Sequence, residues 1–384
     1  MDFYAFHLMP WPHLPPDFEQ RHDSAWIWPP NALYDPVRGH ELYNRYLDEL
    51  EYAETLGFDG ICVNEHHQNA YGNMPSPNLM AAALARRTKR VKLAVVGNAL
   101  PLYDPPLRVA EEWAMLDVIS GGRLICGMVI GGGPEYYSYG KNPTHARAMF
   151  YEAHDLIMQA WTQPGPTEFR GKFWQLRYVN PWPRPLQQPH PPIWIPGAGS
   201  LETLEYVARK RYAYMGIPYF HLDVFAKNFD LFREACAKQG YTASPSQLGY
   251  LAPIYVAETD AAARAEYEPH VTYFVQKLLK GLLITPPGYT SPRSMLKILD
   301  AVKKKQFMAS CESWDDLEKG DFIVAGSPAT VRDKLFRILD RLGAGNLLAL
   351  LQLGTLGAEL TRKNMDLFAR EVMPALRARY GSAL

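Results

Sequence analysis

The sequence predicts an α/β fold in which eight parallel strands close into a (β/α)8 barrel. Short apolar runs alternate with amphipathic stretches along all 384 residues. Several of the runs are apolar throughout, as strands covered on both faces must be. Eight such runs in a chain of this length favour a closed barrel over an open doubly wound sheet.

The runs are, in order, "DFYAFHL" from Asp2, "FDGICVN" from Phe58, "VKLAVVG" from Val91, "RLICGMVI" from Arg123, "PIWIPG" from Pro192, "YAYMGI" from Tyr212, "LGYLAPIYVA" from Leu248 and "NLLALLQLG" from Asn346. Between the first two, residues 41–56 place Leu42, Tyr46, Leu47, Leu50 and Ala53 on one helical stripe, with Gly57 suited to the cap. Val331, Leu335, Ile338 and Leu342 repeat that spacing near the other end. Ser76-Pro77, Ser291-Pro292 and Ser327-Pro328 each read as a capping serine followed by proline at the first helical position. No linker divides the chain, so residues 1–384 read as a single domain.

Three segments interrupt the alternation. Residues 10–36 form a long loop rich in Pro, Trp and His after the first strand. Residues 167–191 read as a small hairpin followed by a proline-rich connection, and residues 259–321 as an insertion after the seventh strand, helical at 261–281 and 291–305. Long excursions at the C-terminal ends of barrel strands build and cover active sites, although the hairpin has an equally good structural reading.

Composition narrows the function classes. The chain is 47% hydrophobic and 21% charged with a formal net charge of +0, which gives no electrostatic push toward nucleic acid or anionic membrane. The N-terminus "MDFYAFHLMP" lacks the basic-then-apolar order of a secretory signal. Cys62, Cys126, Cys236 and Cys311 include no CxxC pair and fit packed thiols of a reducing cytoplasm, the location expected here.

Four stretches carry candidate chemistry. "NEHH" at 64–67 falls at the C-terminal end of the second strand, on the catalytic rim of a barrel. It admits a metal site, a proton-transfer site or a packed pair. A metal needs three or more converging ligands, and the first strand offers only His7. "VIGGGPEYYSYG" from Val129 is not a dinucleotide fingerprint, since its glycines are consecutive and proline follows. It is either a tight turn or a loop whose backbone, as at Gly131, approaches a ligand closely. "PGAGSLETLEYVARK" from Pro196 opens a helix in which Ser200 and Thr203 stand one turn apart, where both hydroxyls can face an anion. "AGSPAT" from Ala325 has the same character, and on physical grounds the two anion sites are equal candidates.

Together these pieces resemble the bacterial luciferase-like family of flavin-dependent monooxygenases. The most specific stretch is "LGFDGICVNEHHQNAYGNMPSPNLMAAALARRTKRVKLAVVGNALPLYDPPLRVAEEWAMLDVISGGRL" from Leu56, followed in order by "PIWIPGAGSLET", "GSPATVRDKL" and "NMDLFAREVMPAL". The resemblance implies a (β/α)8 barrel with long loops at its C-terminal face. It also implies a cytoplasmic two-component system. Reduced FMN from a separate NAD(P)H:flavin reductase would meet O2, form a flavin C4a-peroxide and oxygenate a small organic substrate, in a protein that is often a homodimer.

Residue by residue, the resemblance makes His66 the catalytic histidine and leaves Glu65 and His67 to orient the loop. A histidine suits proton exchange near neutrality. The flavin ring would lie at Val96, Gly97 and Asn98, where the family carries a cis peptide corresponding to Val96-Gly97, and the Asn98 amide is expected at the ring. Gly199, Ser200 and Thr203 match the family's phosphate site, which favours that loop over 325–330. Two positions depart from the family. Val129 stands where luciferase has a reactive cysteine, and Ile130 where it has a phosphate-binding arginine. Light emission and an aldehyde substrate are therefore not implied. Trp11, Trp26, Trp28 and Tyr34 either wall the substrate pocket or pack over the barrel mouth. The competing readings are a deazaflavin (F420)-dependent oxidoreductase of the same barrel, and a flavin-binding protein without catalysis.

Overall fold

The computed structural model describes residues 1–281 and 292–381. All eight apolar runs form barrel strands: β1 (Asp2–Phe6), β2 (Gly60–Val63), β3 (Lys92–Ala99), β4 (Leu124–Val129), then, beyond the hairpin strands β5 (Thr167–Arg170) and β6 (Gln175–Val179), β7 (Ile193–Gly197), β8 (Ala213–Gly216), β9 (Leu248–Val256) and, after a short β10 (Val324–Gly326), β11 (Asn346–Leu350). The ladder β1-β2-β3-β4-β7-β8-β9-β11 is parallel throughout and closes by pairing β11 with β1. Every residue of β1, β2, β8, β9 and β11 is buried. That double-sided burial is why they read as continuous apolar runs.

Helices cover the outside. The first long one, Pro36–Thr55, starts earlier than its stripe because Asp35 caps it, its carboxylate accepting the Val37 N–H at 2.8 Å and the Arg38 N–H at 3.3 Å. Residues 37–41, with the exposed Val37 alone apolar among Arg38, Gly39, His40 and Glu41, carry no apolar stripe, so periodicity could not see this turn. Ser76 and Ser327 cap the helices Pro77–Arg87 and Pro328–Leu342 as expected. Ser291 lies outside the described residues, although a helix does run over Pro292–Lys303. The unexpected β10 is three residues long and pairs with the distal end of β9, Val324 opposite Ile254.

The long loop after β1 and the insertion after β9 pack on each other across the barrel mouth. The Trp26 indole N–H donates to the Leu278 carbonyl at 2.8 Å, Ala25 N–H to Lys280 at 3.0 Å, and Leu14 N–H to the Tyr273 hydroxyl at 3.0 Å. The hairpin β5–β6 docks elsewhere. The Glu152 carboxylate on the helix Ala146–Thr162 accepts the N–H groups of Lys172, Phe173 and Trp174, each at 2.8 Å. No helix among the described residues is long and apolar enough to cross a membrane.

Candidate active site

A cavity of about 590 Å³ opens at the C-terminal ends of the strands, where barrels of this kind place their chemistry. Its wall draws on the end of β3 and on the segments that follow β2, β4, β7 and β8, and includes His66, Val96, Gly97, Gly131, Ser200 and Thr203.

His66 is the polar centre. Its Nδ1 faces Glu135 Oε1 at 3.2 Å, and its ring meets Trp26 and Tyr71 edge-on at 5.2 and 4.8 Å. With Nδ1–H donated to the carboxylate, Nε2 has no protein partner among the described residues. Glu135 sits at the start of the helix Gly133–Ser138, and its other oxygen accepts the Gly132 N–H at 3.0 Å. Burial pushes the Glu135 carboxyl upward, but the hydrogen bond and charge of His66 and a backbone N–H outweigh it and hold the group below the usual carboxylate range.

Glu65 and His67 do not face the chemistry in the same way. His67 Nε2 lies 2.8 Å from Glu65 Oε1, and its Nδ1 is 2.9 Å from the Tyr139 hydroxyl. Glu65 Oε2 accepts from Asn98 Nδ2 at 2.7 Å and from the Tyr103 hydroxyl at 2.6 Å. This buried network ties the loop after β2 to β3. Asn98 donates its amide N–H groups to Glu65 and Tyr103, its Oδ1 has no partner among the described residues, and the residue is absent from the cavity wall.

The floor beneath is backbone. The Val96-Gly97 peptide is cis, and β3 and β4 approach so closely that neither Gly97 nor Gly127 has room for a side chain. A Cβ on Gly97 would lie 2.4 Å from the Gly127 carbonyl oxygen, and one on Gly127 2.2 Å from that of Val95.

At another part of the cavity, Ser200 caps the helix Leu201–Lys210 and its Oγ lies 2.8 Å from Thr203 Oγ1. Arg147, from the helix Ala146–Thr162, donates to both, Nη2 to Ser200 at 3.2 Å and Nη1 to Thr203 at 3.3 Å. Two hydroxyls, a guanidinium and a helix N-terminus thus converge, the donor set an oxyanion requires. Gly199 is not in the wall but permits the turn into it, with φ +82° and Asn228 occupying the space a Cβ would need. The rival loop at 325–330 has a carboxylate instead. Asp260 accepts the Ser327 N–H at 2.6 Å and the Thr330 hydroxyl at 3.0 Å, so an anion there would meet a like charge.

Sequence reasoning missed Arg147 and Glu135. Glu135 had a signal, since a glutamate three residues after the cap position of a short helix marks a capping box. Arg147 had none, because one arginine at a helix start reads as a solvated charge. Of the four aromatic residues offered for the pocket, only Trp26 lines it. Trp11 is buried against Tyr34 with ring centroids 4.7 Å apart, and Trp28 is 70% exposed. Residues 167–191 contribute nothing to the wall. All four cysteines are buried and free, and no cluster of three metal-ligating side chains occurs among the described residues.

The profile of the luciferase-like monooxygenase family matches residues 29–345. Among curated proteins, the chain is 37% identical over 161 residues to the uncharacterized protein y4wF of Sinorhizobium fredii, covering 41% of this chain and 46% of that one. It is 31% identical over 239 residues to the oxygenase component of a flavin-dependent trigonelline monooxygenase of Acinetobacter baylyi, covering 61% and 65%. Both alignments thus span less than two thirds of the relative's length. Among solved structures, the oxygenating constituent of 3,6-diketocamphane monooxygenase of Pseudomonas putida, in complex with FMN, superimposes with a TM-score of 0.75 at 18% identity, covering 97% and 98%. A coenzyme F420-dependent tetrahydromethanopterin reductase of Methanopyrus kandleri reaches 0.67 at 18% identity, covering 97% and 98%. At these identities both share the fold.

Proposed function

The chain belongs to the luciferase-like monooxygenase family, and from that premise we propose that it is the oxygenase of a two-component, FMN-dependent monooxygenase. One observation carries the reading: a single cavity holds both the His66–Glu135 pair and the oxyanion cradle of Arg147, Ser200 and Thr203.

The residues fit FMN. Arg147, Ser200, Thr203 and the helix N-terminus would hold the phosphate. Val96, Gly97 and Gly131 offer backbone and small side chains against which a flat ring can lie, and Phe6, Ile195 and Leu251 supply apolar walls. Reduced FMN, when bound, supplies the electrons with which O2 is split between substrate and water. The protein's own part is to hold and move a proton and to keep water out. Glu135 fixes the His66 ring through Nδ1, so that Nε2 can give a proton to, or take one from, a group in the cavity. Trp26 and Tyr71 pack edge-on against the ring.

The partner system follows from the same reading: reduced FMN would come from a separate NAD(P)H:flavin reductase, and the homodimer and cytoplasmic setting are carried along as proposals. The relative from Acinetobacter, named as an oxygenase component, supports the two-component arrangement. The F420-dependent alternative keeps a footing in the shared fold.

The test is substitution of His66. With reduced FMN supplied and incorporation of labelled O2 followed across a substrate panel, His66→Ala is expected to lower turnover at least about 100-fold, the size of a lost general acid–base. Reduced-FMN affinity should stay within about threefold. Turnover that survives the substitution would remove His66 from the chemistry. Reduced F420 binding in place of reduced FMN would bring the alternative forward.

A further inference from the structure

Tyr71 and Tyr219 stand in the cavity wall with a feature that neither the phosphate cradle nor the His66 pair uses. Their hydroxyls meet in a short hydrogen bond, and among the described residues neither hydroxyl has another partner. Both side chains are almost fully enclosed, Tyr71 at 3% and Tyr219 at 8% exposure. Two phenols bring two protons. One is consumed between the oxygens, and the other has no acceptor among the described residues, an uncommon condition for a buried donor.

The surroundings select what can accept it. Trp26 lies over Tyr71 with centroids 4.3 Å apart, and Phe220 and Phe307 continue the apolar wall. The charged side chains of the wall are Glu65, His66, Glu135 and Arg147. Arg147 is engaged at the oxyanion cradle, so among the described residues of the wall the tyrosine region offers an anionic substrate no second guanidinium or ammonium. Burial holds both phenols well above their ordinary range, which keeps them as neutral donors.

Resting on the function proposed above, we propose that the Tyr71–Tyr219 pair is the substrate-orienting donor of this enzyme, selecting an uncharged, largely apolar molecule that carries a carbonyl or similar neutral acceptor. An acceptor seated there lies beside the Tyr71 ring, which itself touches His66 at a centroid distance of 4.8 Å. The acceptor thereby brings the adjoining carbon toward the proton-handling nitrogen. The backbone holds the pair in place. Tyr219 has a φ of +81°, its carbonyl accepts the Met308 N–H at 2.7 Å, and Phe220 bridges Phe307. A tyrosine in that conformation persists only where its surroundings fix it.

The probes are acetophenone and ethylbenzene, which differ by a carbonyl in place of a methylene. Equilibrium binding to the full chain is measured with and without saturating FMN. The pair is expected to favour acetophenone about tenfold. The double variant Tyr71→Phe/Tyr219→Phe removes both hydroxyls together and leaves neither stranded. It should bind both probes alike, with ethylbenzene and FMN affinities unchanged, whereas each single variant retains one donor and a preference for the ketone.

A wild-type protein without that preference, or a double variant that keeps it, would overturn the proposal. A readout independent of any variant is the infrared carbonyl stretch of bound acetophenone, which should fall below its value in an apolar solvent. An unshifted stretch also overturns the proposal. Failure of the flavin reading shows separately, as absent reduced-FMN binding with the ketone preference intact.

Discussion

At His66 the chemistry turns on which ring nitrogen meets the cavity. Glu135 settles it by taking Nδ1 at 3.2 Å. The carboxyl is held below the usual range despite its burial, so the sign of its pH dependence is fixed. A depressed carboxylate contributes stability that is present above its unfolded value and lost as pH falls through its folded value. Glu135→Gln should therefore flatten the fall in urea-unfolding free energy below about pH 5, measured against the wild type across the acid range. A slope equal to that of the wild type would mean the pair is not ionised. The histidine pair was legible as candidate chemistry because it follows a strand at the rim of a barrel, while the choice of His66 within it came from the family resemblance. Arg147 was not, because its role comes from a helix that crosses to Ser200 and Thr203, and no local pattern encodes that crossing. For Asn98, the place after the Val96-Gly97 bond was readable, whereas the hydrogen bonds of its amide N–H groups to Glu65 and Tyr103 are a tertiary event.

Among the elements, β3 and β4 set the cavity floor. Their backbones touch where Gly97 meets Gly127, and the ladder register shifts between Val95 and Asn98. A methyl group at Gly127 would meet the main chain of β3, the Val95 oxygen at 2.2 Å and the Val96 Cα at 2.9 Å. Main chain cannot swing aside like a flexible side chain. Gly127→Ala is accordingly expected to cost about 3 kcal/mol or more in unfolding free energy, the upper range of overpacking. Gly357→Ala, at an open helix start with nothing within 4 Å, should cost under about 1 kcal/mol. Similar costs at both sites, read by denaturant unfolding, would refute the close approach. All eight barrel strands were legible from their short apolar runs alternating with amphipathic stretches, and several of the runs are unbroken because burial covers both faces. The three-residue β10 was too short to leave one.

For the whole molecule, closure of the barrel gathers segments between residues 6 and 307 around one cavity. The sequence showed that long excursions follow the first and seventh strands. It could not show that they would bind each other through Trp26 and Leu278, since that pairing spans most of the chain. The central claim is that this cavity is a reduced-FMN site anchored by its phosphate. The measurement that tests it most directly is an anaerobic titration of the wild type and Arg147→Ala with reduced FMN and with reduced riboflavin, which lacks the phosphate. The wild type is expected to prefer FMN by at least about tenfold, the worth of a charge-assisted hydrogen bond, and Arg147→Ala to lose most of that preference while riboflavin affinity is unchanged. Equal affinity of the wild type for the two flavins, or binding of neither, would contradict it.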